Sequence, residues 1–410
     1  MDAPLLPIDS ILSLSMTCKK FSYLATSLGI PLHQRLGNFR FRCSLSLSIN
    51  THWIRLYKHV SKLDSVCCYK LSHSLNFLSG CEGGRHLDDT WAAYIGNNSQ
   101  KIVKWQKIQT GIPTGRFGHT CVVIENYLVL FGGINDRSDR YSDTWLEQVS
   151  IHENLGISLS WRLLDVGSTS PPPRGAHAAC CISSRRMVIH GGIGLNGVRL
   201  DDTWVIELSE NQCFGTWHQI ISHPSPPARS GHSLTCISET QTILFGGRGL
   251  GYQVLNDIWV LHVSEGYSKW VQVFYDLQNV PAGVSVPRVG HLATSIVGGQ
   301  LLIHGGEDSF RHRKYDFWVL DISRISLERM HPTGLSSKRL LVNKWRRLKP
   351  QGYKPGCQSF HRACIDDSGR YLYVFGGMID GLLQPAEPAV HILMVSYFWW
   401  SWSFSYEKRD

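Results

Sequence analysis

From Arg116 onward the chain alternates short apolar runs with polar, glycine-rich breaks. In RFGHTCVVIENYLVLFGGINDRSDRYSDTW, Arg116 to Trp145, two runs of about five apolar residues flank a turn and end in a glycine pair, and a polar loop then leads to Asp-Thr-Trp. Runs this short, rich in Val, Ile, Leu and aromatic residues and bounded by turn formers, predict β-strands. The stretch recurs at Arg174–Trp204, Arg229–Trp259 and Arg288–Trp318, with the second glycine always 12 residues before the closing Trp. A further Trp follows each copy, at Trp161, Trp217, Trp270 and Trp345. Each unit therefore holds four antiparallel strands, and four-stranded units repeating every ~40–60 residues are the blades of a propeller.

Two weaker copies flank these four. SFHRACIDDSGRYLYVFGGMIDG keeps His361 and Gly376-Gly377 without a following Asp-x-Trp, and SHSLNFLSGCEGGRHLDDTW keeps His73, Asp89 and Trp91. Six blades are expected, with VCCYKL (Val66 to Leu71) donated as an outer strand to the last blade to close the ring. In the first copy, His73 stands only 18 residues before Trp91, against 26 or 27 in the others, so roughly one strand is missing. Gly83-Gly84 reads as a loop pair that does not replace the lost glycines, and the first blade is expected to be incomplete, with unpaired edges.

The N-terminal residues have another period. LLPIDSILSLSMTCKKFSYLATSL, Leu5 to Leu28, places Ile8, Ile11, Leu12, Met16, Phe21 and Leu24 at helical spacing. The organisation expected is a helical segment over 1–60, a propeller over 61–395 and an aromatic tail over 396–410. In that tail, SYFWWSWSFSYEKRD, five residues are Trp or Phe, an apolar liability unless they pack on the last blade or on a partner.

Composition narrows the function classes. The 41 basic and 32 acidic residues leave +9, not gathered into long runs, which favours acidic partners without pointing to nucleic acid. The N-terminus lacks the basic and apolar regions of a signal peptide, and no uninterrupted apolar run would span a bilayer. The 12 Cys are then expected to be reduced, in the nucleus and/or cytoplasm. Cys121, Cys180, Cys181, Cys236 and Cys364 follow the repeated histidines inside apolar runs, as small buried hydrophobes.

The arrangement Arg-x-Gly-His, an apolar run ending in Gly-Gly, Asp-x-Trp and a last Trp resembles the kelch repeat from about residue 66 onward. Leu6-Pro7, Asp9-Ser10-Ile11-Leu12 and Cys18-Lys19-Lys20-Phe21-Ser22-Tyr23-Leu24-Ala25 resemble the later part of an F-box, whose usual first Leu-Pro and helix are not found. The fold class expected is thus all-β, a six-bladed kelch-type β-propeller with a short N-terminal α-helical, partial F-box segment. The combination resembles plant F-box/kelch-repeat proteins. It implies a substrate-recognition subunit of a Skp1-cullin-F-box ubiquitin ligase, with Leu6, Pro7, Ile8, Ile11, Leu12, Cys18, Phe21 and Leu24 facing a Skp1-type adaptor and, through it, a cullin. The alternative is a kelch scaffold that binds proteins without a ligase.

A catalytic reading of His119, His177, His232 and His291 with Asp143, Asp202, Asp257 and Asp316 fails on regularity, because a nucleophile or metal site is not copied blade after blade. The Asp is expected to accept loop amides, the His and Arg to tie neighbouring blades together, and the Trp to supply apolar area between sheets. No cofactor or metal is expected. The pattern of nitrile-forming specifier proteins is not met, since Glu307 has Arg311 four residues on. Galactose-oxidase-like chemistry, needing a crosslinked tyrosine and an oxidised context, is not indicated either.

Binding is left, and strand alternation says where. The second-to-third and fourth-to-first connections of a four-stranded antiparallel blade leave from one face. That face is expected to be basic, through Arg137, Arg140, Arg199, Arg248, Arg311, His312, Arg313 and Lys314. Arg116, Arg174, Arg229 and Arg288 lie nearer the channel and read first as glue between blades. For RHRK, Arg311 to Lys314, a solvated loop and a contact site weigh equally. Converging guanidinium groups suit an acidic or phosphorylated target.

Overall fold

A computed structural model of the chain describes residues 65–71, 81–82, 85–86, 88–95, 103–110, 112–125, 127–152, 156–264, 266–275, 286–296, 299–322, 341–342, 345–352, 356–365, 371–379 and 390–394. The F-box residues Leu6, Pro7, Ile8, Ile11, Leu12, Cys18, Phe21 and Leu24 and the aromatic tail lie outside them. Apart from a three-residue 3-10 turn at Leu195–Gly197, the described elements are strands. None of the described helices is long and apolar enough to cross a membrane.

Four sheets follow the predicted order. The second blade runs Thr120–Ile124, Tyr127–Phe131, Thr144–His152 and Gly156–Leu163. The third runs Ala178–Ile182, Arg186–His190, Thr203–Leu208 and Gly215–Ile220. The fourth runs Ser233–Ser238, Gln241–Phe245, Ile258–Ser264 and Tyr267–Tyr275. The fifth runs Leu292–Ile296, Gln300–His304, Phe317–Asp321 and Arg346–Gly352. Neighbouring strands in each are antiparallel, with the motif Trp in register opposite the second strand, as in Ile189↔Trp204 and Leu244↔Trp259.

The sixth blade holds Arg362–Ile365, Tyr371–Phe375 and Val390–Met394, and is completed by Ser65–Leu71, paired antiparallel from Cys67↔Met394 to Leu71↔Val390. The ring closes through the N-terminal strand, as the run Val66 to Leu71 predicts. The same strand also pairs in parallel with the outer strand of the fifth blade, merging the two blades into one sheet of eight strands. The first blade, among the described residues, has the pair Asp89–Ile95 and Val103–Thr110 and a separate short ladder, Cys81–Glu82 with Arg85–His86.

Both faces of a blade are covered by its neighbours, so the inner strands read as continuous apolar runs rather than as alternation. Ile124, Val129, Phe131 and Leu146 pack against Met187, Ile189, Trp204, Ile206 and Trp217 of the third blade. Cys180, Val188 and Val205 meet Leu234, Leu244, Trp259, Leu261 and Trp270, and the next joint repeats the pattern up to Trp318 and Trp345. Cys180 is buried and Cys181 and Cys236 half-buried as small core residues, but Cys121 is exposed. It lies on the wall that the second blade turns towards the first one.

Candidate functional site

The repeated motif residues form the frame of the loop face. Each motif Arg reaches back within its own blade to the Asp that opens the third strand. Arg174 Nη1 and Nη2 donate to Asp202 Oδ1 and Oδ2 at 2.6 and 2.7 Å, Nη1 also donates to the Gly191 carbonyl at 3.0 Å, and Trp204 Nε1 donates to Asp202 Oδ2 at 2.7 Å. Arg116–Asp143–Trp145 and Arg229–Asp257–Trp259 repeat the set. In the fifth blade Arg288 and Trp318 donate to Asp316 Oδ2 at 2.9 and 2.8 Å. This corrects two expectations: the Arg side chains brace a single blade, and the Asp accepts a bidentate guanidinium and an indole rather than loop amides. Burial pushes the carboxyls of Asp202 and Asp316 up, but the Arg and Trp donors outweigh it and hold both below their ordinary value.

The joint between blades is made instead by the Arg backbone, the His and the glycine pair. Gly133 N–H donates to the Arg174 carbonyl, Gly192 to Arg229 and Gly247 to Arg288, at 2.7 to 2.9 Å. His177 Nε2 shares a hydrogen bond with Thr120 Oγ1 of the preceding blade at 2.7 Å, and His291 Nε2 one with Ser233 Oγ at 2.9 Å. Gly132 has φ +67, and a Cβ there would stand 2.7 Å from the Arg174 carbonyl and 3.2 Å from the His177 ring. Only glycine gives both the left-handed turn and that approach. Burial lowers the pKa of His177 and His232 well below the usual 6.5 and that of His291 to about 3, so all three are neutral at physiological pH.

The two predicted sets of connections do share a face, joined by short bridges such as Phe117↔Ile134, Gly175↔Ile193 and Val289↔Glu307. Most of its cations, however, are engaged. Arg140 Nη1 donates to the Ser138 carbonyl at 2.7 Å, and Arg199 Nε donates to Ser230 Oγ at 3.1 Å while its guanidinium lies 4.5 Å from the Tyr252 ring centre. Arg248 lies 3.6 Å from Glu307, and Arg313 Nε donates to Ser359 Oγ at 3.0 Å and lies 3.6 Å from Glu307. Lys314 Nζ pairs with Asp308 at 2.6 Å. Burial raises the Asp308 carboxyl, but Lys314 and the amides of His312 and Phe310 outweigh it and keep it below its ordinary value. His312 lies 3.8 Å from Asp308, so of the eight candidates Arg137 and Arg311 are the two that are exposed with no side-chain partner among the described residues.

What this face exposes besides is apolar. Phe310 is 81% exposed, Tyr252 69%, Leu250 62% and Met378 54%. A chain of backbone bonds links the second to the sixth blade, from Ala176 N–H to Gly118 O, Gly231 to Ala176, Gly290 to Gly231 and Phe360 to Gly290, at 2.6 to 3.0 Å. The residue before each His has φ between +55 and +66. In the sixth blade that residue is Phe360, exposed, and stacked where a Cβ on Gly290 would come within 2.8 Å of its ring. Sequence reasoning missed Phe360, although its signal was visible: a Phe stands where the motif has Gly or Ala.

Four-stranded blades joined through Arg, His and Gly-Gly at each seam define a kelch-type β-propeller, and the KLHDC2/KLHL20/DRC7 Kelch-repeats domain matches residues 62–212 and 156–339. The chain belongs to the F-box/kelch-repeat proteins. It is 54% identical to F-box/kelch-repeat protein At1g51550 of Arabidopsis thaliana, over 93% of this chain and 86% of that protein. Adagio protein 3 of the same plant is 27% identical over 79% of this chain and 52% of its own length. The solved structure of YjhT shares the fold, with TM-score 0.50 at 13% identity, over 80% of this chain and 92% of that one.

Proposed function

We propose that the chain is the substrate-recognition subunit of a Skp1-cullin-F-box ubiquitin ligase in the nucleus or cytoplasm. The segment around Leu6, Pro7, Ile8, Ile11, Leu12, Cys18, Phe21 and Leu24 docks a Skp1-type adaptor, and the loop face of the propeller holds a target protein. The observation that carries this reading is the 54% identity to an F-box/kelch-repeat protein along 93% of the chain. A rigid face whose repeated ionisable groups are tied into the frame supports it, because such a face suits binding rather than chemistry. The chain itself supplies no reacting group; it brings the target near a separately bound ubiquitin-conjugating enzyme, so its contribution is proximity.

A pulldown with purified Skp1-type adaptor tests the assignment, run beside a chain with Leu6, Pro7 and Ile11 changed to Ala. Capture by the native chain alone is the expected result. Absence of capture by both identifies a kelch interaction scaffold without a ligase.

A further inference from the structure

The sequence leads one to expect a basic face for an acidic or phosphorylated target. The arrangement of partners on that face points elsewhere. Arg248 and Arg313 converge on Glu307, Lys314 pairs with Asp308 inside the same loop, and Arg199 is held between Ser230 and Tyr252, so these cations are committed to partners within a loop or on the loop of the next blade. A ligand phosphate would have to break those pairs before using them.

We infer that the target is held by apolar anchors on the loops of the fourth to sixth blades, with Arg311 beside them as an exposed cation that has no side-chain partner among the described residues. This rests on the loop face being the receptor surface. Phe360, Met378, Phe310, Tyr252 and Leu250 carry the contact. Phe360 sits at φ +58, a conformation costly for a bulky residue, where every other described blade has Gly or Ala. Met378 lies opposite Ser359 in the adjoining ladder, and Arg313 of the fifth blade's loop, which also carries Phe310, bonds the same Ser359 next to Phe360. Arg311, beside Phe310, also has φ +63, and its guanidinium is exposed. An extended segment with one or two large aliphatic or aromatic residues and a single carboxylate complements these exposed apolar side chains and the Arg311 charge.

A random twelve-residue peptide library selected on the immobilised full chain tests the inference. The expected winners carry aromatic or aliphatic anchors with about one acidic residue. They should lose tenfold or more in affinity on Phe310→Ser or Phe360→Gly, and less than about threefold between 150 and 500 mM salt. Phe310 is so exposed that its replacement leaves folding intact, and Phe360→Gly removes a strained φ, so neither loss can be ascribed to misfolding; a thermal melt checks both. Polyacidic winners that fail at high salt and on Arg137→Ser or Arg311→Ser would overturn the apolar inference while leaving the receptor face standing. Winners indifferent to every loop-face substitution, or no enrichment at all, would overturn both.

Discussion

The second blade turns one face to the third blade and the other to the first, and the two faces use the same motif positions with different results. Towards the third blade the joint is closed. His177 is buried, bonded to Thr120 and set edge-on to Phe131 with ring centres 5.5 Å apart. Trp217 is buried with its indole N–H on Thr144 Oγ1 at 3.3 Å. Towards the first blade, His119 and Trp161 are only half-buried, and Trp161 Nε1 finds no acceptor although Thr90 stands at the matching position of the first blade. Cys121 is exposed there and Val123 is 61% exposed.

One substitution marks the open wall further. Where the later blades carry Ile206, Leu261 and Leu320, all buried, the second has Glu147. Its side chain is buried, and among the described residues neither carboxylate oxygen has a hydrogen-bond partner. Burial raises its pKa to about 8. On the opposite wall Arg362, solvent-accessible, takes the place that Thr120 and Ser233 fill in their blades. The lesson is that the kelch motif braces each blade by itself through Arg and Asp, whereas a sealed joint also needs matching side chains on the neighbouring blade.

The largest test of this contrast is acid. His177, His190, His232 and His291 are buried and neutral when folded, while unfolded histidines titrate near 6.5. The folded state thus binds fewer protons below that value, so stability is full above it and is lost as pH falls towards 3. Circular dichroism at equilibrium should show cooperative unfolding on acidification, and retention of the sheet signal at pH 3.5 would break the account.

Next come the paired tryptophans. Trp217→Ala should cost about 3–5 kcal/mol in urea denaturation, and Trp161→Ala no more than about 2. Equal losses would mean that the joint to the first blade is as tight as the others.

Glu147→Leu should stabilise the protein by about 1–2 kcal/mol at pH 8. The sign follows from its raised pKa: between the ordinary 4.5 and about 8 the folded state holds the extra proton, so native stability declines as pH rises through that window. Above 6.5 the histidine effect is over, so the decline from 6.5 to 8 should flatten in the Leu variant, as melts at the two pH values would show. The smallest effect belongs to Val123→Thr, within about 0.5 kcal/mol, because the side chain is already wet.

Much of this was legible in the chain. The constant glycine-to-Trp interval fixed the strand order of four blades, and the run Val66 to Leu71 announced the closing strand, because both are local periodic signals. The shortened interval from His73 to Trp91 likewise marked the first blade, whose described strands are its third and fourth. The parallel pairing of Ser65–Leu71 with Arg346–Gly352 was not legible, since the repeat calls for a closing partner only in the last blade and nothing local marks a second, parallel one. Nor was the use of each charge. Counting arginines in the loops gave a basic face, but Glu307 and Asp308 sit in one of those loops and engage cations of two blades. Glu147 and Phe360 were visible as departures from the repeat, yet their meaning needed burial and φ.

The most direct test of the central claim is co-elution of the full chain with a purified Skp1-type adaptor and cullin on a sizing column with mass detection. The account predicts one complex with one copy of each chain, lost when Leu6, Pro7 and Ile11 become Ala and kept when Phe310 becomes Ser, because the adaptor and the target use opposite ends of the sequence. A chain that elutes alone, or a complex indifferent to the N-terminal substitutions, would contradict it.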